Sequence, residues 1–597
     1  MDGAAETETL TVPDLARRAS TPRATLRRLA LSLRRPWPGY ALVTLAGVTL
    51  RGYMPPVLRW NQPHDDTAQV RIARALLDGQ WLGEWGSQPV PHITLAKGPG
   101  YPLFLAAIHP TGLTPPLAAY LLYLAGGALL ATALRRHIGR WWALVLYAAV
   151  AFNPLVFSGL FSVVYRENLV AGLAMLALGL AAHLGQRLAR PRPWRWRVGL
   201  VVAVEALTLG AVIGLGAVTR VDTVWVMCGA LGAVVVGLLP VLRRLRLRGW
   251  LVAGAAAALV GAVATLIPTA VAITNERHYG VRLVDDFSEG AFQEAITAWA
   301  SVRAGDAPQT DKVGRPQREA VYAVSATARL LEPVLENPKN GWIGLNCRFQ
   351  EALKDTCDDL GTYFAWALRD AAVQQGGIRT AVEFQQFFAR LHDEISGACA
   401  TGALDCGMPG LSSGIEPADR LSRRTLVSSA VGLVGAALTF DADGPLQAAP
   451  RPTDPVDVWL TTVNEADFVT HAMAEGVLPT ALGQESTANL LSAVYRWWAL
   501  PLFMTALVLL FTRRMWTTTT GRMALVMFGA WLTHVAILTI FYASANRATG
   551  GSVPHYAISS EGYLAVGLVL TARFAWGAAR DALPRGASVT VPYQSAP

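Results

Sequence analysis

Residues 198–218 read VGLVVAVEALTLGAVIGLGAV, a run of apolar side chains that contains a single charged residue, Glu205. About 20 such residues are enough for an α-helix to cross the hydrocarbon core of a bilayer. Runs of similar length and composition recur near 39–58, 115–134, 141–160, 164–184, 222–241, 250–273, 493–512, 523–543 and 558–576. The sequence therefore predicts a polytopic α-helical membrane protein with about ten transmembrane helices.

The overall composition agrees with this class. The chain has 597 residues, of which 52% are hydrophobic and only 16% are charged, and its mean hydropathy is +0.33. A soluble protein carries about 25% charged residues. The net charge of +9 comes from basic residues clustered in short loops, which is typical of a membrane protein and not of a nucleic-acid-binding groove. The first 22 residues lack an apolar h-region, so they predict no cleaved signal peptide.

The basic clusters predict the orientation in the membrane. They are Arg27-Arg28, Arg34-Arg35, Arg135-Arg136, Arg140, Arg187 through Arg197, Arg243 through Arg248, and Arg513-Arg514. If the N-terminus is cytoplasmic, the predicted crossings place every cluster on the cytoplasmic side, in agreement with the positive-inside rule. We therefore expect both termini in the cytoplasm. The Ala-, Arg- and Leu-rich composition favours the plasma (inner) membrane of a bacterium.

One further apolar segment, 425–440, spans only 16 residues. If it crossed the membrane, Arg513-Arg514 would lie outside the cell and the C-terminus would change sides. We interpret this segment as a re-entrant or interfacial helix.

The predicted domains follow from this topology. They are a cytoplasmic tail at 1–36, a transmembrane core at 37–274 with a catalytic outer loop at 59–114, an extracytoplasmic insert at 275–492 that contains the 425–440 segment, three transmembrane helices at 493–577, and a cytoplasmic tail at 578–597. The middle of the insert predicts a helix. Its apolar residues there recur at helical spacing, at Val382, Phe384, Phe387, Phe388 and Leu391.

Four of the five cysteines fall within the insert. These are Cys347, Cys357, Cys399 and Cys406, whereas Cys228 lies in an apolar run. Four cysteines in one hydrophilic region favour two disulfides in an oxidising compartment, which agrees with the orientation predicted from the charges. A zinc site is the alternative, but the gaps of ten and seven residues lack the short Cys-x-x-Cys spacing.

Acidic residues follow the first apolar run, where a membrane helix would emerge. His64, Asp65 and Asp66 are consecutive and open a predicted amphipathic helix. One carboxylate can serve as the N-cap, because it accepts hydrogen bonds from free backbone N–H groups. A cap needs only one, so the pair beside a histidine predicts a catalytic site. We favour Asp65 as the catalytic residue because Asp66 is better placed to begin the helix.

Further polar residues fall at the same predicted membrane face. The candidates for substrate binding are Lys97, Tyr101, Arg166, Glu167, Arg220, Asp222, His555 and Tyr556. Each has a structural alternative: the lysine can snorkel to the interface, the adjacent Arg–Glu and Arg–Asp residues can neutralise each other, and a loop histidine can be solvated. Together they suit a phosphate-linked lipid substrate, because a carboxylate can deprotonate an acceptor hydroxyl while cations stabilise a phosphate leaving group.

Two motifs resemble the GT-C superfamily of polyprenyl-phosphate-sugar-dependent glycosyltransferases, the group of the protein mannosyltransferases and the lipid A aminoarabinose transferase. In that group an acidic motif with the catalytic Asp follows the first helix and precedes an amphipathic juxtamembrane helix. Asp65-Asp66 followed by residues 73–79 (ARALLDG) has the same order. Residues 97–103 (KGPGYPL) are similar to the group's next motif, with Gly100 in place of an expected proline. The resemblance covers roughly 36–240.

The resemblance implies an inverting transferase that moves a sugar from a polyprenyl phosphate to an extracytoplasmic cell-wall glycan, glycolipid or protein. It also implies that Lys97 contacts the lipid phosphate and that Arg166 or Arg220 assists. Some relatives use a divalent metal and some do not, and one histidine with two acids does not define a metal site. The alternative is a transporter or flippase of lipid-linked saccharides, which would place ionisable groups near the bilayer midplane. Glu205 is the clearest such group in the sequence.

Overall fold

The computed structural model describes residues 37–54, 56, 66–85, 94–189, 196–241, 247–305, 313–338, 341–343, 360–408, 421–440, 479–544 and 555–582. Within these ranges the secondary structure is almost entirely helical, and Val302 and Cys406 form an isolated antiparallel bridge. We number the helices of nine or more residues in chain order as α1 (Trp37–Gly52), α2 (Asp66–Leu77), α3 (Gly100–Ile108), α4 (Pro115–Ile138), α5 (Arg140–Ala151), α6 (Arg166–Leu188), α7 (Trp196–Thr219), α8 (Val224–Leu238), α9 (Leu247–Tyr279), α10 (Gly290–Ser301), α11 (Arg315–Val324), α12 (Phe364–Gly376), α13 (Ala381–Ala400), α14 (Arg423–Thr439), α15 (Pro479–Leu509), α16 (Thr519–Ser544) and α17 (Glu561–Ala582).

Eight of the described helical segments are long and apolar enough to cross a membrane. They are Pro115–Ile138, Arg140–Phe157, Arg166–Leu188, Trp196–Thr219, Leu247–Tyr279, Thr487–Leu509, Thr519–Ala543 and Tyr556–Asp581. The other two predicted crossings correspond to shorter helices, α1 with 16 residues and α8 with 15. The prediction of a polytopic α-helical membrane protein is confirmed.

Prolines account for the shorter helices. Helix α1 ends at Gly52 and not at the predicted residue 58, because Pro55 and Pro56 follow. Proline lacks a backbone N–H and disfavours helical geometry in the residue before it. Helix α8 begins only at Val224, after a turn over 221–223, and it ends ahead of Pro240.

Helix α6 lies at the centre of the helical bundle, almost fully buried against α4, α7 and α8. The backbones of α4 and α6 approach closely at two glycines. A Cβ atom on Gly126 would overlap the Met175 backbone, and one on Gly179 would overlap the Gly126 carbonyl. Small residues at a crossing allow membrane helices to pack through direct backbone contact. Helix α6, whose N-terminus carries predicted site residues, therefore packs directly against α4.

The bundle has two chemically different ends. At one end α9 stops at Tyr279 and the chain continues into the insert, and Trp81 Nε1 donates to Asn275 Oδ1 at 2.7 Å. We call this the insert end. The opposite end carries basic side chains, among them Arg135 in the last turn of α4 and Arg187 in the last turn of α6.

The insert has a hydrophobic core of its own, formed mainly by α10, α12 and α13. Phe384, Phe388 and Leu391 of the predicted helix are buried on one face of α13. The rings of Phe292 and Phe388 meet with their centroids 4.7 Å apart. The prediction that the insert is mainly helical therefore holds over the described residues.

One of the two expected disulfides lies in this part of the chain. Cys399 and Cys406 are bonded, with their Cα atoms 5.6 Å apart, and the bond closes the loop that follows α13. Cys347 and Cys357 lie outside the described residues, so their pairing stays a prediction. Cys228, on α8, is a free thiol.

The short apolar segment 425–440 forms most of α14. This helix packs against α15 and α16, and Ser492 Oγ donates to Phe440 O at 2.7 Å. Val427 and Val431 are exposed on its other face. Its interpretation as a re-entrant or interfacial helix stays a prediction.

Candidate functional site

Lys97 lies in the turn before α3, and this turn is held against the end of α7. A Cβ atom on Gly98 would overlap the Val218 carbonyl, and one on Gly100 would overlap Thr219. Only glycine allows the turn to approach α7 this closely. The glycine at position 100 is therefore required by packing in this chain.

The Lys97 ammonium group lies between two aromatic rings. Its Nζ is 3.3 Å from Tyr165 Oη, 5.2 Å from the centroid of the Tyr165 ring and 5.6 Å from that of Trp366. Aromatic faces attract cations through the ring quadrupole. Tyr165 immediately precedes α6 and Trp366 belongs to α12, so Lys97 lies where the bundle and the insert meet.

Arg220 joins two acidic residues from different parts of the bundle. Its Nη1 donates to Glu167 Oε1 at 3.3 Å, its Nη2 donates to Asp222 Oδ2 at 2.6 Å, and its Nε is 2.5 Å from Asp222 Oδ1. Arg166 Nε lies 3.5 Å from the same Glu167 oxygen. The planar guanidinium group suits such forked contacts with carboxylates. The local ion pairs that the sequence offered as alternatives therefore form, and Arg220 links them into one network.

His534 extends this network down into the membrane helices. Its Nε2 lies 3.7 Å from Asp222 Oδ2, and its Nδ1 forms a 2.8 Å hydrogen bond with Ser560 Oγ. The fully buried ring stacks on Trp225, with the centroids 4.6 Å apart. His534 precedes the end of α16 at Ser544 by about 15 Å along the helix axis. The polar network therefore reaches well below the insert end of the bundle.

Tyr556 covers Arg220 from the last loop, with its ring centroid 4.9 Å from the guanidinium carbon. Arg220 and Glu167 are buried, whereas the side chains of Arg166 and Asp222 remain 20% and 22% exposed. Arg166 and Asp222 are therefore the members of the network that a ligand can contact, and Arg220 and Glu167 are enclosed.

The insert lies directly against the turn that carries Lys97. Asp286 N donates to Leu95 O at 2.9 Å. The ring of Phe287 lies 4.6 Å from that of Trp366, and both rings pack on this turn. The insert thus forms one wall of the site.

A buried ion pair stabilises this wall. Arg369 Nη1 lies 2.6 Å from Asp286 Oδ1, and the two side chains are 0% and 1% exposed. The guanidinium group also lies 4.5 Å from the ring centroid of Phe384 and 5.5 Å from that of Trp85. Since Trp85 belongs to the first loop (59–114) and Phe384 to α13, Arg369 connects the first loop to the insert.

The ion pairs keep Asp222 charged. Burial alone would raise the pKa of Asp222, but the charge of Arg220 and the nearby His534 outweigh burial and hold the pKa below its ordinary value. A carboxylate so stabilised binds a proton weakly. Asp222 is therefore suited to orienting neighbouring groups rather than to accepting a proton.

The two aspartates on the insert side behave differently. Burial raises the pKa of Asp285, against the opposing effects of Ser288 and Arg166. Burial also raises the pKa of Asp286, to about 6, against the charge of Arg369. Desolvation disfavours the charged form of an acid, so these carboxylates hold a proton more readily than Asp222 does.

Six of the predicted site residues come together at the insert end, namely Lys97, Arg166, Glu167, Arg220, Asp222 and Tyr556. Tyr101 is instead fully buried on α3, where its ring lies 5.9 Å from that of Phe104. His64 and Asp65 lie outside the described residues. Helix α2 begins at Asp66, and a 3-10 turn begins at His555, but the side chains of these two residues are not described. The assignment of the catalytic residues stays a prediction.

Three residues at this site were missed by sequence reasoning. His534 had a usable signal, because an ionisable residue within an apolar run such as 523–543 is rare and is usually functional. Asp285 and Trp366 had none, because their stretch of the insert matches no motif. Their proximity to Lys97 depends on how the insert packs on the first loop.

Two other ionisable side chains, Arg51 and Glu561, are buried within the bundle. Ionisable residues at such positions are candidates for function. Glu205, the clearest candidate from the sequence, instead forms an ion pair with Arg187 at 2.8 Å near the opposite end. That pairing gives Glu205 a structural role.

A metal site is not formed by the part of the chain that the structure describes, in which no group of three or more His, Cys, Asp or Glu side chains could hold an ion. His64 and Asp65 fall outside that part. Metal dependence therefore stays open.

Comparison with known proteins gives structural likeness only. No protein-family profile and no curated protein sequence matches the chain. The structure is similar to that of ArnT from Cupriavidus metallidurans bound to undecaprenyl phosphate, with a TM-score of 0.27 and 14% identity over 85% of this chain and 76% of that one. The apo state of ArnT from the same organism gives a TM-score of 0.29 and 14% identity over 88% and 76% of the two chains. The likeness extends over most of both chains at a low TM-score, so the function proposed below rests on this chain's own residues.

Proposed function

We propose that this protein is a membrane glycosyltransferase of the GT-C type, which moves a sugar from a polyprenyl phosphate to an acceptor outside the cytoplasm. The observation that supports this most is the convergence of Lys97, Arg166 and Arg220, from three separate segments, at one end of a membrane-spanning bundle. Basic pockets between membrane helices suit the phosphate head groups of lipids. The donor's polyprenyl chain would lie in the bilayer while its phosphate meets these cations.

The proposed reaction is a displacement at the anomeric carbon of the donor sugar. The acceptor oxygen attacks this carbon, the bond to the phosphate oxygen breaks, and its electron pair leaves with the phosphate. Lys97 and Arg166 stabilise the negative charge that develops there. Arg220 is engaged by Glu167 and Asp222, so we assign it to holding the network. Attack opposite the leaving group makes the transfer inverting.

The general base in this proposal is Asp65, which takes the proton from the acceptor hydroxyl. Two carboxylates of the network are poor candidates, because Glu167 and Asp222 both pair with Arg220. A paired carboxylate binds a proton weakly. The base is therefore expected to come from outside the network. The acidic motif of the first loop, directly before α2, is the candidate that the sequence offers.

The site is proposed to face the extracytoplasmic side, with both termini in the cytoplasm. The end of the bundle opposite the site carries Arg135 and Arg187, as the positive-inside rule expects of a cytoplasmic face. The disulfide between Cys399 and Cys406 belongs to the insert, and disulfides persist in oxidising compartments. Charge and redox chemistry thus support the same orientation.

A transporter or flippase of lipid-linked saccharides is the second candidate. It is favoured by ionisable side chains that are buried in the described part of the bundle, among them Arg51, His534 and Glu561. Transporters place such groups on the substrate pathway. His534, however, contacts Asp222 and so belongs to the network at the insert end. The transferase explains that contact more directly than a path through the membrane does.

The test combines donor binding with sugar transfer. Purified wild-type protein should bind undecaprenyl phosphate, and Lys97→Gln should weaken the affinity by about ten- to a hundredfold, the cost of losing a charged hydrogen bond. Arg315→Gln is the matched control, because Arg315 is 57% exposed on the insert. Membranes that contain the wild-type protein should transfer label from one member of a panel of polyprenyl-phosphate sugars to an acceptor other than the donor lipid, and Asp65→Asn should abolish this transfer without loss of binding.

The outcomes separate the two functions. Flux of a lipid-linked saccharide across sealed vesicles, without formation of a glycosidic bond, would establish the transporter instead. Wild-type transfer rates in both Asp65→Asn and Asp66→Asn would exclude the acidic motif as the source of the base.

A further inference from the structure

Asp285 differs from Glu167 and Asp222 because it forms no ion pair with an arginine among the described residues. Glu167 and Asp222 both pair with Arg220, whereas Asp285 forms no ion pair with any described residue. Its Oδ1 accepts a hydrogen bond from Ser288 N at 3.0 Å, and the residue is 7% exposed. A carboxylate offers about four lone-pair positions. Asp285 therefore retains capacity to accept further hydrogen bonds.

The position of Asp285 places this capacity beside the proposed phosphate site. The next residue, Asp286, donates its backbone N–H to Leu95 O at 2.9 Å, two residues before Lys97. The charge of Arg166 also acts on Asp285. Asp285 therefore lies on the insert side of the site, next to the turn that carries Lys97.

A row of aromatic rings begins at the same place and runs along the insert. The Trp366 ring, 5.6 Å from Lys97 Nζ, lies 6.1 Å from the ring of Trp342, and the two planes are within 12° of each other. The ring of Tyr363 follows, 5.7 Å from that of Trp342. Trp366 and Tyr363 are both partly exposed. Trp342, which lies between them, is buried, so Trp366 and Tyr363 are the rings of the row that a ligand can contact.

We propose that Asp285 and this aromatic row form the acceptor subsite, and that the acceptor is a saccharide. The proposal rests on the transferase function above and names the partner that the insert receives. A sugar presents hydroxyl groups, which donate to a carboxylate, and apolar C–H faces, which pack on aromatic rings. The negative charge of Asp285 disfavours a phosphate, so this side of the cations suits a neutral polyhydroxylated ligand and not the donor head group.

The roles of the two acidic sites are distinct in this arrangement. Asp285 binds an acceptor hydroxyl and keeps its protonation state, and the proton of the attacking hydroxyl goes to Asp65. Asp285 is thus a binding residue that helps to select the acceptor. The rings of Trp366 and Tyr363 hold the following sugar units along the insert surface.

The experiment measures acceptor kinetics in the full-length protein. The donor is the polyprenyl-phosphate sugar that is active with wild-type membranes, and the varied acceptor is the polysaccharide fraction of the host cell envelope. Asp285→Asn keeps the turn with Ser288, because an amide oxygen can still accept the backbone hydrogen bond. It should raise the KM for polysaccharide about tenfold, since hydrogen bonds to a charged acceptor are roughly twice as strong as neutral ones. Tyr363→Ala, at the far end of the row, should also raise KM.

Two controls separate acceptor binding from folding and donor binding. Asp393→Asn, at an exposed position on α13, should leave KM unchanged. Undecaprenyl phosphate should bind Asp285→Asn at least as tightly as it binds the wild type, because the substitution removes a negative charge beside the phosphate site. Slow hydrolysis of the donor by water should persist, because it does not require the acceptor subsite. Failure of the wild-type protein to bind donor or transfer sugar to any fraction would refute the transferase function itself.

Three results would overturn the subsite while leaving the transferase intact. The first is a wild-type KM for polysaccharide in both Asp285→Asn and Tyr363→Ala. The second is loss of undecaprenyl phosphate binding in these variants, which would assign the residues to the donor site or to folding. The third is transfer of label by the wild-type protein to the protein fraction and not to polysaccharide.

Discussion

Replacing Arg369 by methionine should destabilise the part of the insert that packs on the first loop. The Arg369–Asp286 ion pair is fully buried, with its nearest N and O atoms 2.6 Å apart. Methionine fills much of the space of the arginine side chain but leaves Asp286 without its cation. Removing one partner of a buried pair costs about 3–5 kcal/mol, because the remaining charge is desolvated and uncompensated. The free energy of opening the insert at pH 7 should fall by that amount.

Hydrogen exchange of the intact protein is the appropriate assay, because it reports local opening in each element. A loss of about 3–5 kcal/mol should accelerate exchange in α12 and α13 by about two to four orders of magnitude. Exchange in α6, at the centre of the bundle, should stay at the wild-type rate.

The destabilisation caused by Arg369→Met should increase as the pH rises. Burial raises the pKa of Asp286 to about 6, above the value of about 3.9 for an unfolded chain. The protonated form is therefore favoured by folding, and its contribution to stability is present below about pH 4 and lost as the pH rises through 6. Without Arg369 the pKa rises further, so the defect should shrink near pH 4 and grow toward pH 8. Adding Asp286→Asn should restore slow exchange at pH 7.

Arg315→Met is the control for this experiment. Arg315 also belongs to the insert and pairs with Glu319, but both side chains are exposed, and such surface pairs contribute at most about 1 kcal/mol. If Arg369→Met exchanged as slowly as Arg315→Met at pH 7, the buried pair would not hold the insert in place.

Two further predictions concern the network and the disulfide. His534→Phe keeps a ring on Trp225 but removes the ring nitrogens, one of which bonds Ser560. It should therefore lower the free energy of unfolding by about 1–3 kcal/mol and reduce sugar transfer. A variant with wild-type thermal stability and wild-type transfer would contradict this. Cys399 should resist labelling by maleimide until the protein is reduced. The double variant Cys399→Ser/Cys406→Ser should lose about 2 kcal/mol of insert stability. Labelling of Cys399 without a reductant would show that the disulfide is absent.

The fold was predictable because helix formation in a bilayer depends on local composition. Apolar runs near 20 residues correspond to helices throughout the described chain, and helices end early where prolines intervene, as after α1 and at the end of α8. The largest difference is at α15, which begins at Pro479 and not at the predicted residue 493. The helical face that includes Phe384 and Phe388 was also visible as a periodic pattern. Each of these signals involves residues within one helix.

The site was only partly predictable, because its contacts join distant segments. Arg220 and Asp222 are two residues apart, so their pairing could be anticipated, but the bond from Arg220 to Glu167 joins residues separated by 53 positions. The contact of Lys97 with Trp366 depends on how the insert packs, which no local pattern encodes. His534 could have been found, because a histidine within a membrane helix requires a polar partner.

The contact between Asp222 and His534 has a consequence for biosynthesis. The two residues emerge from the ribosome far apart in time, since synthesis at about 5–20 residues per second separates them by roughly 15 to 60 s. During that interval the nascent chain already contains Arg220 and Asp222 but lacks the imidazole beneath them. The ion-pair network around Arg220 can be completed only after the last two membrane segments have been inserted. A prematurely terminated chain would therefore expose a charged cleft that quality-control proteases can recognise.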